Sequence, residues 1–206
     1  MILSVLPRSL ADALAVRADD PDRTVVAGGT DLMVAVNAGR LRPTSWLSLR
    51  RVPELQRVER RGQSLFVGAG VTFARIEHEL AEAVPALAEA ARTVGSVQIR
   101  NAATIGGNLS TASPAGDALP VLACYDAEVE VASVRGTRIV PLDEFLVGPK
   151  RTTLGPDELV VGVHLRRPTG RQAYAKVGPR AAMVIARCSL AARVDRATGD
   201  AGVGVG

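Results

Sequence analysis

Apolar and polar positions alternate in short, sharply bounded stretches along this chain, and their periods predict a mixed fold. Ser9 followed by Asp12, with Leu10, Ala13 and Leu14 on one face, predicts a capped helix of about ten residues ending before DDPD. Thr24–Ala27 is β-branched and apolar and predicts a strand that runs into Gly28-Gly29-Thr30-Asp31. LMVAVNAG then predicts a helix ended by Gly39, and SWLSL a second strand. Residues 1–50 therefore form a small α/β unit around a glycine turn.

From residue 51 the texture changes. VPEL is a turn, QRVE and SLFVGAG are strands around RGQ, and Thr72 starts a helix through Leu80. PALAEAARTVG predicts another helix. The stretch QIRNAATIGGNLSTASPAGDALPVLACY is rich in small hydroxyl residues, and Pro114 after Ser113 is placed to open a helix. AEVEVAS, TRIVPL, ELVVGVHLR, QAYAKVG and MVIARCSLAARV then predict a mixed or antiparallel sheet, with turns at RG, GP, PTG and TG.

Composition narrows the function classes. The 206 residues are 47% hydrophobic, 22% charged and 3% aromatic, enough for a packed core and unlike a disordered or disulfide-stapled chain. Cys124 and Cys188 lie in apolar stretches and read as buried, reduced thiols. With only His78 and His164 beside them, a zinc site lacks clustered ligands. No apolar run approaches the roughly 18 residues of a membrane span, and MILSVLPRSL has no basic leader, so the expected location is cytoplasmic. The net charge of +4 comes from scattered arginine pairs, Arg50-Arg51, Arg60-Arg61 and Arg166-Arg167, without interleaved aromatics. They read as solvated surface and not as a nucleic-acid site.

The glycine loops carry the candidate chemistry. No Gly-Lys dipeptide occurs, so a P-loop is excluded, and GAGVTF has Phe73 where a dinucleotide fingerprint needs its third glycine. AGGTDL at 27–32 can turn successive N–H groups toward one diphosphate; it is equally a plain helix cap at Thr30 or Asp31. Thr104-Ile105-Gly106-Gly107-Asn108 reads as a second nest. Asp117, at the start of a following helix, is placed either to bind ribose hydroxyls or to stabilise that helix end. Two nests and a carboxylate suggest a long dinucleotide held from two sides. No serine or cysteine triad, His-Glu metal motif or cysteine set for an iron–sulfur cluster is visible, so neither catalytic nor metal-binding residues are assigned.

TVVAGGTDL together with IRNAATIGGNLSTASPAGDALPVL resembles the FAD-binding subunit or domain of the molybdenum hydroxylases, the xanthine and carbon monoxide dehydrogenase type. The resemblance implies an α+β, two-lobed FAD-binding fold of the PCMH/vanillyl-alcohol-oxidase type. Its lobes would be 1–50, a small α/β lobe, and 51–170, a larger mixed-sheet lobe, with 171–206 the start of a truncated C-terminal subdomain. It further implies that Ala27, Gly28, Gly29, Thr30, Asp31 and Leu32 wrap the FAD diphosphate. Thr104, Gly107, Asn108 and Thr111 would line the cofactor and Asp117 hold the adenosine ribose. Val160 would pack on a flavin or adenine ring, and Lys176 would sit near the flavin end. Such proteins bind FAD without a covalent link, so His78 and Cys124 are not attachment points. The implied function is electron transfer from a small 2Fe-2S subunit and a large molybdopterin-binding subunit, through FAD, to NAD+, quinone or oxygen. A stand-alone flavin oxidoreductase and a non-enzymatic nucleotide-binding module are the alternatives.

Overall fold

The computed structural model describes residues 3–166 and 169–206; Arg167 of the Arg166-Arg167 pair, Pro168 of the predicted PTG turn, Met1 and Ile2 lie outside them. The N-terminal unit is β1 (Leu3–Val5), α1 (Leu10–Asp19), β2 (Thr24–Val26), α2 (Leu32–Asn37) and β3 (Ser45–Ser48). Its strands form a parallel sheet in the order β1-β3-β2. Ser9 caps α1 as expected, its hydroxyl accepting from Asp12 N–H at 3.1 Å. Helix α2 differs from every longer helix here, because none of its residues is buried.

The central unit contains β4 (Val58–Arg61), β5 (Ser64–Gly68), α3 (Phe73–Glu79), α4 (Pro85–Arg92), α5 (Val97–Ala102), α6 (Ile105–Thr111) and α7 (Leu119–Cys124). It continues with β6 (Glu128–Ser133), β7 (Gly136–Pro141), α8 (Leu142–Phe145), β8 (Leu146–Gly148), β9 (Arg151–Thr152) and β10 (Leu159–Arg166). An antiparallel sheet of order β4-β5-β10-β6-β7 is its floor. The inward side chains Leu65, Val67, Val129, Val131, Val163 and Leu165 are buried and join the helices in one core. That core runs on to Leu47 of β3 and Ala191 of the last sheet, so apolar burial, the dominant stabilising term, unites the chain.

The third sheet is β11 (Arg171–Val177), β12 (Cys188–Val194) and β13 (Ala201–Val205), antiparallel and in chain order. It packs on α4 and α7. Glycine is required at 202 and 204 because a Cβ there would meet the carbonyl oxygens of Cys124 and Pro120 at 2.4 and 1.9 Å, so β13 lies directly on α7. The opposite face of this sheet exposes Val177, Leu190, Val194, Val203 and Val205.

Four expectations change. Pro114 opens no helix: Ser113 closes a turn instead, its hydroxyl accepting from Ala115 N–H and its carbonyl from Gly116 N–H. The helix begins at Leu119, with Pro120 in its first turn, so Asp117 precedes the helix instead of starting it. Residues 183–187 are loop, and the strand starts at Cys188. Strand alternation turns Cys188 outward and Ser189 inward, so only Cys124 is a buried thiol. Arg50, Arg51, Arg60 and Arg166 are exposed, as the sequence implied.

Candidate functional site

A cleft of about 1180 Å³ separates the N-terminal unit from the central one. Ala27, Gly28, Gly29, Thr30, Asp31 and Leu32 line one wall; Thr104, Gly107, Asn108, Thr111, Asp117 and Val160 line the other. Lys176 is not in the lining.

The first glycine loop is a nest in the physical sense. Gly29 has φ +73°, the left-handed region that lets consecutive N–H groups converge. Among the described residues, the N–H groups of Gly28, Gly29, Thr30 and Asp31 have no intramolecular acceptor. Gly28 is needed for a different reason: its Cβ would lie 1.9 Å from the Ala102 carbonyl oxygen, so the loop rests directly on the C-terminal end of α5.

The second glycine loop is not a nest. Ile105 N–H donates to Val71 O at 3.0 Å, Gly106 N–H to Ala69 O at 2.9 Å, Gly107 N–H to the Thr104 hydroxyl at 3.0 Å, and Asn108 N–H to Thr104 O at 3.0 Å. The N–H groups of residues 105–108 are all spent on docking and starting α6. Gly106 is required for this packing, since a Cβ would meet that of Ala69 at 2.5 Å. What the loop presents to the cleft is side chains. Asn108 Oδ1 is buried without a partner, an acceptor that a ligand hydroxyl or N–H would satisfy. Gly107 meets only the Thr104 hydroxyl, at 3.2 Å. Gly107→Ala is therefore expected to keep the fold, with thermal unfolding within a few degrees, while weakening a ligand in the cleft by about tenfold. Unfolding scans and ligand titration of one sample check both halves.

Asp117 and Lys176 form a buried ion pair at 2.9 Å, with side chains 9% and 7% exposed. Lys176 Nζ also donates to Thr93 O at 3.2 Å, and the Tyr174 hydroxyl donates to Asp117 Oδ1 at 3.1 Å. Burial raises the Asp117 carboxyl above its ordinary range, more than Lys176 and Tyr174 lower it, and burial raises the Tyr174 phenol too. Asp117, in the cleft lining, and Lys176, outside it, which the resemblance assigns to opposite ends of the ligand, are thus paired with each other. Sequence reasoning missed Arg17 and Arg23 on α1 and the start of β2, and Met183–Ile185 in the β11–β12 loop, all of which line the cleft. Arg23 sits in a charge-rich turn, and its burial has no sequence signal.

No helix among the described residues is long and apolar enough to cross a membrane, and none of their His, Cys, Asp and Glu groups forms a cluster able to hold a metal.

Comparison with known proteins identifies the family. The chain is 36% identical over 208 aligned residues to the nicotinate dehydrogenase FAD-subunit of Eubacterium barkeri, covering 96% of this chain and 69% of that one. It spans between 54% and 65% of three further bacterial relatives. Quinoline 2-oxidoreductase from Pseudomonas putida 86 superimposes with a TM-score of 0.90 at 29% identity, over 95% of this chain and 69% of that structure. Reconstituted CO dehydrogenase from Oligotropha carboxidovorans gives 0.92 at 26%, over 100% and 74%. The family profile described as the FAD binding domain in molybdopterin dehydrogenase matches residues 2–168, and the chain belongs to that family of oxidoreductase FAD domains.

Proposed function

We propose that this chain holds FAD in the cleft and acts as the electron-transfer FAD unit of a molybdenum hydroxylase. The observation that carries this reading is the row of four unclaimed N–H groups at Gly28–Asp31 in a cleft large enough for a dinucleotide, within a chain of this family. In it, Ala27–Leu32 receive the diphosphate through the backbone. Thr104, Gly107, Asn108 and Thr111 line the ligand, with Asn108 Oδ1 taking a hydrogen bond. Asp117, held by Lys176 and Tyr174, faces ligand hydroxyls, and Val160 packs on a ring. Bound FAD supplies the redox chemistry, accepting and releasing electrons, while the protein orients it and sets its surroundings.

Related proteins are named as FAD-subunits or as parts of dehydrogenase complexes, which supports a large molybdopterin-binding subunit and a small 2Fe-2S subunit as partners. NAD+, quinone or oxygen would be the final acceptor, in the cytoplasm, with FAD-binding lobes at 1–50 and 51–170 and a C-terminal part at 171–206. Purified protein titrated with FAD is expected to take up one equivalent and quench its fluorescence, and acid is expected to release FAD intact. Protein that takes up no flavin overturns the reading.

A further inference from the structure

Backbone N–H groups give a diphosphate hydrogen bonds but no net charge, and each phosphate brings a negative charge into the cleft. The loop at 28–31 adds a charge of the wrong sign. Asp31 is exposed and lines the cleft, and its side chain makes no capping hydrogen bond to α2. Three arginines also line the cleft, and two of them are committed elsewhere. The Arg23 side chain is 10% exposed, with Nη2 3.1 Å from Asp20, and Arg17 Nη1 donates to the Arg23 carbonyl at 2.8 Å, so the two brace the α1–β2 turn. Lys176 is outside the lining and paired with Asp117. The third arginine, Arg50, is exposed, and among the described residues no hydrogen bond or ion pair engages its side chain.

The fold sets Arg50 beside the glycine loop. Strands β2 and β3 are parallel neighbours, and their last residues, Val26 and Ser48, lie opposite each other. Gly28 and Arg50 each follow that pair by two residues, and the helical turn Leu49–Arg51 that carries Arg50 packs on β2. Both therefore leave the sheet at its carboxyl edge, from strands roughly 4.8 Å apart, the edge at which parallel sheets bind ligands. The Arg50-Arg51 pair reads as solvated surface in the sequence, yet its members differ: Arg51 is equally exposed but lies outside the cleft lining. A guanidinium fork suits the task, since it stays charged and can donate two parallel hydrogen bonds to one phosphate.

We propose that Arg50 is the cation that neutralises the bound diphosphate, its guanidinium donating to phosphate oxygens that the N–H groups of Gly28–Asp31 leave open. The proposal rests on FAD being the ligand of the cleft. Fluorescence titration with FAD at low and high salt tests it. Arg50→Gln is expected to weaken FAD by about tenfold, the worth of one charge-assisted hydrogen bond. Arg50→Lys is expected to keep most of the affinity, because the charge remains, and Arg51→Gln, the same change of charge one residue on, to keep all of it. The gap between unsubstituted protein and Arg50→Gln is expected to narrow as salt screens the ionic contact, which a purely structural role would not produce. Because Arg50 is exposed and unpaired, the variants are expected to unfold at the temperature of the unsubstituted protein. Equal losses in Arg50→Gln and Arg51→Gln, a loss as deep in Arg50→Lys as in Arg50→Gln, or a gap that does not change with salt overturns the proposal. Unsubstituted protein that takes up no FAD removes the functional reading, and this proposal with it. Normal FAD uptake unaffected by Arg50→Gln removes the proposal alone.

Discussion

Alanine at Gly28 is expected to cost FAD binding at least a hundredfold, the largest effect of any single methyl in the cleft. The added Cβ would lie 1.9 Å from the Ala102 carbonyl oxygen and 2.6 Å from its carbon, and no side-chain rotamer relieves a clash with backbone. The loop must lift from α5, carrying the N–H groups of Gly28–Asp31 out of register with a bound diphosphate. Overpacking of this kind costs about 1–3 kcal/mol of stability, and losing the aligned donors removes roughly 3 kcal/mol of binding, which is the hundredfold. Denaturant unfolding and FAD titration measure the two losses separately. Unchanged FAD affinity would place the diphosphate elsewhere. Gly107→Ala, which meets only a hydroxyl at 3.2 Å, is the matched comparison.

Lys176→Met is expected to have the largest effect on stability. It leaves the Asp117 carboxylate buried with only the Tyr174 hydroxyl as partner. Removing one member of a buried pair costs about 3–5 kcal/mol, a large share of the roughly 5–15 kcal/mol by which folded domains are stable. Asp117 already has a raised pKa from burial, so its folded state holds a proton to higher pH than its unfolded state. A raised acid therefore loses stability as pH rises through the carboxylate range, the reverse of an ordinary salt-bridged aspartate. Without Lys176 the shift grows, so the deficit is largest at neutral pH and shrinks as the solution is acidified and Asp117 protonates. Chemical unfolding at several pH values checks this, and Asp117→Asn with Lys176→Met is expected to recover most of the loss. A deficit below about 1 kcal/mol and flat with pH would mean that water reaches the pair.

The parts of the fold that are written locally were legible. Ser9 and Thr72 cap their helices through their own hydroxyls, and the helix ending near Gly39 and the turn at Gly62 follow from neighbouring residues. The family motifs also place twelve of the thirteen expected site residues in the cleft lining, all but Lys176. What failed depends on contacts between distant residues. The 104–108 loop has the composition of a nest, but Val71 and Ala69, more than thirty residues earlier, take its donors. Lys176 and Asp117 are 59 residues apart, and only the packing of β11 against the central helices joins them. Arg23 follows the polar run DDPD and reads as solvated, until the fold closes over it.

Helix α2 follows the glycine loop at 28–31 yet contributes no side chain to the core. Opening it sacrifices no packed interior, so its amides belong with those that exchange with solvent through local fluctuation, without global unfolding. The loop is thus held firmly on one side, where Gly28 rests on Ala102, and loosely on the other, where it enters a helix that frays at little cost. A ligand that engages the free N–H groups must quiet the loose side, so the entropy lost on binding is concentrated in Leu32–Asn37, six residues that touch the site only through their first turn.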